Sequence, residues 1–135
     1  TLFRSGRRDF AAAHAAQRMD AAGKQKMREA SDAFDRAVEE GNTEDMIRYD
    51  TRFHMTIVEG AGNRVLCHMF EQLQEQILRF RYLYFDTFKR GKKMPSEHHK
   101  ILDAIEQGNA EQARREADLH VKRQQEMVVN EFNLE

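Results

Sequence analysis

Asp50 and His54 stand four residues apart, so on a helix their side chains point the same way. Both lie at helical spacing from Met46, Ile47, Phe53, Ile57 and Val58, which form an apolar stripe. His98 precedes Ile101 and Leu102 by one turn, and His120 follows Ala117 by three residues, beside a stripe that includes Ala113 and Val121. Three segments therefore each turn a metal-capable group inward. A buried carboxylate is costly unless it is paired or coordinated, and clustered imidazoles repel when protonated. A divalent cation meets both demands, because it takes deprotonated nitrogens and neutralises the acid. Three nitrogens and one oxygen suit zinc, nickel, manganese or iron. The expectation is one ion per chain, zinc first, with coordination positions left for water or a ligand. A single inward histidine is ordinarily a hydrogen-bonded core residue. It is the coincidence of four such groups that points to a metal. His68 shares its face with Gln72, Glu75 and Arg79, and His99 with Asp103 and Glu106, so both belong to solvated faces. His14, among Ala11, Ala15 and Arg18, has no assigned role.

The elements that must position these groups are helices. With Gly 7 and Pro 1 in 135 residues, the chain lacks the closely spaced turns a sheet protein needs. Glycines and the proline cut it into helical lengths. The spacing predicts six helices, over about Arg8–Ala22, Lys24–Glu40, Glu44–Glu59, Arg64–Phe88, Ser96–Gln107 and Ala110–Val129. Gly41 is read as the end of the second helix, Asn42 and Asn63 as N-caps, and Ser96 as the N-cap of the fifth. Short loops make neighbours antiparallel, which gives one domain over residues 1–135, an all-α antiparallel bundle.

Global numbers exclude other classes. Lys+Arg 22 against Asp+Glu 23 gives a net charge of −1, so no basic excess marks a nucleic-acid surface. The basic stretch Lys89–Lys93 and the arginines Arg4, Arg7 and Arg8 are read as solvated loop and linker. No apolar run is long enough to span a bilayer. With Cys 1, no internal disulfide can form, and a cytoplasmic location is expected. The start at Thr1, inside a charged stretch, reads as a fragment with something upstream.

At the metal-capable residues the sequence resembles a known family. Asp50-Thr51-Arg52-Phe53-His54, then Ala61-Gly62-Asn63 and Leu66, resembles the D-x-x-F-H…A-x-N-x-x-L signature of the FCD domain. Glu97-His98 through Ile105 resembles its E-H-x-x-I-L-x-A-I segment, and Gly108-Asn109 with Ala113 and His120 resembles its close. Ala12 to Arg18 is similar to its opening helix, except that His14 stands where the family usually has Leu. FCD domains are the effector-binding, dimerising C-terminal halves of GntR-family transcription regulators of the FadR type. The resemblance implies a bundle of six or seven helices. It also implies a metal held by Asp50, His54, His98 and His120, and a homodimer. Operator DNA would be read only through a winged helix-turn-helix domain that this chain does not contain.

A cation offset by a single carboxylate attracts an anion, so the expected effector is a small carboxylate or hydroxy acid. Arg81, four residues after Ile77, and Arg18 on the first helix are the candidate carboxylate clamps. Tyr84, one turn after Arg81, is a candidate hydrogen-bond partner. Two other classes stay open. One is a metalloenzyme for a small organic acid, with Glu59 or Glu97 as base; no H-E-x-x-H, nucleophile elbow or phosphate loop supports it. The other is a metal-free helical interaction module whose histidines are ordinary core.

Overall fold

Asn42 accepts a hydrogen bond from the backbone of Asp45, and Asn63 from those of Val65 and Leu66, so both start helices as the sequence predicts. Gly41 ends the preceding helix at φ 67°, a left-handed conformation that costs a residue with a Cβ about 1 kcal/mol or more. The structure, a computed structural model, describes residues 8–87 and 92–133. Its helices are α1 (Arg8–Arg18), α2 (Ala21–Glu40), α3 (Thr43–Gly60), α4 (Arg64–Gln72), α5 (Gln74–Arg81), α6 (Met94–Glu106) and α7 (Ala110–Asn133), with a π-helical turn at Tyr82–Thr87 after α5. No strand occurs among the described residues, and the fold is the all-α bundle expected. None of the described helices is long and apolar enough to cross a membrane. Phe88, Arg4, Arg7 and positions 89–91 of the basic stretch lie outside the described residues.

Three boundaries differ from the sequence reading, each for a local reason. The break between the first two helices falls at Met19-Asp20 rather than at Gly23, because Asp20 caps the Gly23 amide at 2.8 Å. Gly23 lies inside α2, where a Cβ would meet the Met19 side chain at 2.8 Å. The single helix expected over 64–88 is divided at Leu73, whose amide is shared between the carbonyls of Met69 and Phe70. The helix expected to start at Ser96 is α6 and starts at Met94, with Pro95 in its first turn and no side-chain cap, so Ser96 is not its N-cap.

Packing follows from side-chain size. The inner face of α1 is Ala11, Ala12, Ala15 and Ala16, all buried, which lets α1 lie close against α7, α3 and α6. α2 packs on α3 and α6. One apolar cluster runs through Phe53, Ile57, Phe70, Ile101 and Ile105. A second holds Phe34, Ile47, Phe80, Tyr84, Phe85 and Met94. The ring of His98 touches both, lying 4.3 Å from the Phe53 centroid and 4.7 Å from that of Phe34. The buried polar groups thus gather where the two apolar clusters meet.

Candidate metal centre

α3 carries Asp50 and His54 on its inward face, α6 carries His98 and α7 carries His120; all four are at most 5% exposed. The side chains of His54, His98 and His120 each bring a ring nitrogen within 4.8 Å of the others. Asp50 Oδ1 sits 3.0 Å from His98 Nε2 and 3.3 Å from His54 Nε2. Neither approach is aligned as a hydrogen bond. Asp50 Oδ1 and the Nε2 atoms of all three histidines are buried without a hydrogen-bond partner, as is His98 Nδ1. Each such group costs about 1–3 kcal/mol when left unmet. Four lone-pair donors converging in this way fit a divalent cation, which would be held by Asp50, His54, His98 and His120.

Neighbouring side chains set the orientation of two of the four. Glu97 Oε1 lies 2.6 Å from His120 Nδ1. A carboxylate there keeps the proton on Nδ1 and leaves the Nε2 lone pair facing the cluster, the usual arrangement behind a metal-binding histidine. Arg81, 2% exposed, donates from Nε to Asp50 Oδ2 at 2.6 Å and from Nη1 to Thr51 Oγ1 at 3.2 Å. Burial pushes the His54 imidazole well below its ordinary value and lowers His120 as well, so both are neutral and able to ligate at neutral pH. Burial opposes ionisation of Asp50, but His54 and Arg81 outweigh it and hold the carboxyl well below its ordinary value. With His54 neutral, the guanidinium is the charge that does this near neutral pH.

The three effector candidates take different positions. Arg81 reaches the cluster but is occupied by Asp50 and Thr51, so it positions a candidate ligand rather than standing free as a clamp. Arg18 is not brought to the cluster. It is exposed near the end of α1, where its guanidinium donates to the Ala61 carbonyl at 3.2 Å. Tyr84 is packed against Phe80 and Phe85 in the second apolar cluster. Of the two glutamates weighed as bases, Glu59 is exposed and Glu97 is engaged with His120.

Two residues at the cluster were not singled out in the sequence. Arg8, half-buried at the start of α1, lines the same cavity as His54 and His120. Gln124, 2% exposed, lies one turn after His120. The i,i+4 spacing of His120 and Gln124 on α7 was the available signal for the second. The reading of Arg8, with Arg4 and Arg7, as solvated linker is corrected: Arg8 opens α1 and its guanidinium turns inward over Phe70, because the packing of α1 on α7 carries it to the cavity.

These features define an all-α domain with a buried cluster that could hold a metal. Residues 9–123 match the family model of the FCD domain, and the chain belongs to that family. Among solved structures it is similar to E. coli McbR/YncC, with a TM-score of 0.78 and 19% sequence identity over 95% of this chain and 62% of that one. At that identity the likeness is one of fold. The chain spans less than two thirds of the McbR/YncC chain. No curated protein matches it.

Proposed function

We propose that this chain is the effector-sensing domain of a GntR-family transcription regulator. In this reading it binds one divalent metal, zinc first among zinc, nickel, manganese and iron, together with a small carboxylate or hydroxy acid. It works as a homodimer and acts on operator DNA through a separate N-terminal domain. The observation that carries the reading is the set of four buried, unpartnered atoms on Asp50, His54, His98 and His120 that face one another. FCD-family membership supports the regulatory role. The bound ion would supply positive charge and open coordination positions to an anion.

The protein's own groups do the rest. Arg81 and Glu97 hold Asp50 and His120 in place, and apolar side chains of the two clusters wall the site. Effector binding changes the balance between helix arrangements only through differential affinity for them. The role is non-catalytic: the cluster's second carboxylate, Glu97, is engaged with His120. Elemental analysis of protein purified without chelator tests the reading, with about one metal per chain expected. Metal-free protein that melts identically with and without added zinc would overturn it in favour of a metal-free helical interaction module.

A further inference from the structure

The cavity beside His54 and His120 has a volume of about 10 Å³. That is room for about one water molecule or ion and for no organic acid. Arg8 forms part of its wall, with Phe70, Ala11 and Ala117. The Arg8 guanidinium is turned inward, 5.8 Å from the Phe70 ring centroid. Its Nη1 meets Gln124 Oε1 at 3.5 Å, the outer limit of a hydrogen bond. The other end of the same amide, Nε2, meets Met94 Sδ at 3.6 Å. Among the described residues, the Gln124 amide has two long, weak contacts, and the Arg8 guanidinium has one of these and the face of Phe70, so both could gain from a stronger partner.

Their electrostatic setting points the same way. Burial lowers the Arg8 pKa to about 10; Arg81 lowers it further and Asp50 partly offsets both. Arg8 is therefore a half-buried cation, repelled by Arg81, that an incoming anion would stabilise. With a divalent ion at the histidines, the surroundings hold that ion, Arg8 and Arg81 against Asp50 and Glu97. The excess is two positive charges, which a dianion matches.

We propose that Arg8 and Gln124 form the second half of the effector site: Arg8 closes the cavity in the absence of ligand and grips the far carboxylate of a short dicarboxylate that enters. Gln124 offers its amide to the same carboxylate or to a hydroxyl on the chain. This rests on the metal reading above, since the near carboxylate needs the ion. Arg8 opens α1, so exchanging Gln124 for a ligand shifts a group at the first turn of that helix.

The test uses the chain loaded with Co²⁺, titrated separately with malate and with acetate and followed by visible absorption and by thermal shift. Wild type should bind malate more tightly than acetate. R8M should keep one Co²⁺ per chain and its acetate affinity, but lose malate affinity by about tenfold or more, the worth of a charge-assisted contact. R8K should retain part of the preference. A Co²⁺-loaded R8M that binds malate as wild type does would overturn this inference alone. So would a wild type with no preference for malate. Failure of the wild type to take up Co²⁺ would overturn the metal reading and this inference with it.

Discussion

Arg81 holds Asp50 by one oxygen, 2.6 Å from Nε to Oδ2, and so turns the other oxygen toward the histidines. Both side chains are 2% exposed, so neither has water to fall back on. Replacing Arg81 by Met leaves a buried carboxylate without its counter-charge, which typically costs 3–5 kcal/mol. The expected result is a marked loss of stability in urea together with weaker metal binding, since Asp50 is no longer aimed. The double variant with Asp50→Asn should recover part of the stability and none of the metal affinity. If R81M left metal binding unchanged while weakening only an added carboxylate, Arg81 would be a clamp after all.

Glu97 acts on His120 from behind. Removing it by Glu97→Ala frees Nδ1 and lets the imidazole choose its tautomer and rotate, which at comparable sites weakens metal binding about 10–100-fold. Competition against a chromogenic chelator measures this directly. Glu97→Gln keeps an acceptor at Nδ1 and should retain more of the affinity than Glu97→Ala. Equal losses in the two variants would show that the contact does not orient the ring.

The candidate ligands were legible because each breaks an apolar stripe. Asp50 and His54 interrupt Met46–Val58, and His98 sits one turn before Ile101, so periodicity alone places them inward. The bundle was legible for the same reason, and Gly41, Asn42 and Asn63 marked their boundaries by backbone and capping chemistry. Arg8, Arg18 and Tyr84 were not legible in this way. A long or aromatic side chain near a stripe can lie in the core, on the rim or in solvent, and only the packing of distant helices decides. Phe80 and Phe85 take Tyr84 into the second apolar cluster, while α7, far along the chain, supplies the Gln124 that faces Arg8. The division at Leu73 was invisible because an apolar residue in an unbroken helical pattern carries no breaker signal.

Acid should destabilise the metal-free chain. His54 and His120 have folded pKa values below the ordinary 6.5, so the unfolded chain binds more protons. Their contribution is therefore present above about pH 6.5 and is lost as pH falls below it toward the folded values. Asp50, held below its ordinary 3.8, adds a loss of the same sign at lower pH still. With EDTA present, the melting temperature should be flat from pH 8 to 7 and should fall from about pH 6.5 downward. H120F should flatten part of that slope. A melting temperature that rises as pH drops from 7 to 5.5 would mean that the imidazoles are stabilised as cations, the opposite of a centre kept ready for metal.

Metal addition gives the largest expected change. An ion that binds only the folded chain stabilises it by RT ln(1 + [L]/Kd), about 2.7 kcal/mol at a hundredfold excess over Kd. For a domain of this size that raises the melting temperature by roughly 10 °C. Each of the four ligands should contribute to the increment, the imidazoles most. H98A should abolish it, because His98 Nε2 is the group closest to Asp50 Oδ1, at 3.0 Å, and no other described side chain replaces it. D50N keeps the size of the side chain but loses its charge, and should weaken the increment without abolishing it. Differential scanning calorimetry of the three proteins, each with EDTA and with excess Zn²⁺, separates these cases. An increment that survives in H98A would place the bound ion away from this cluster.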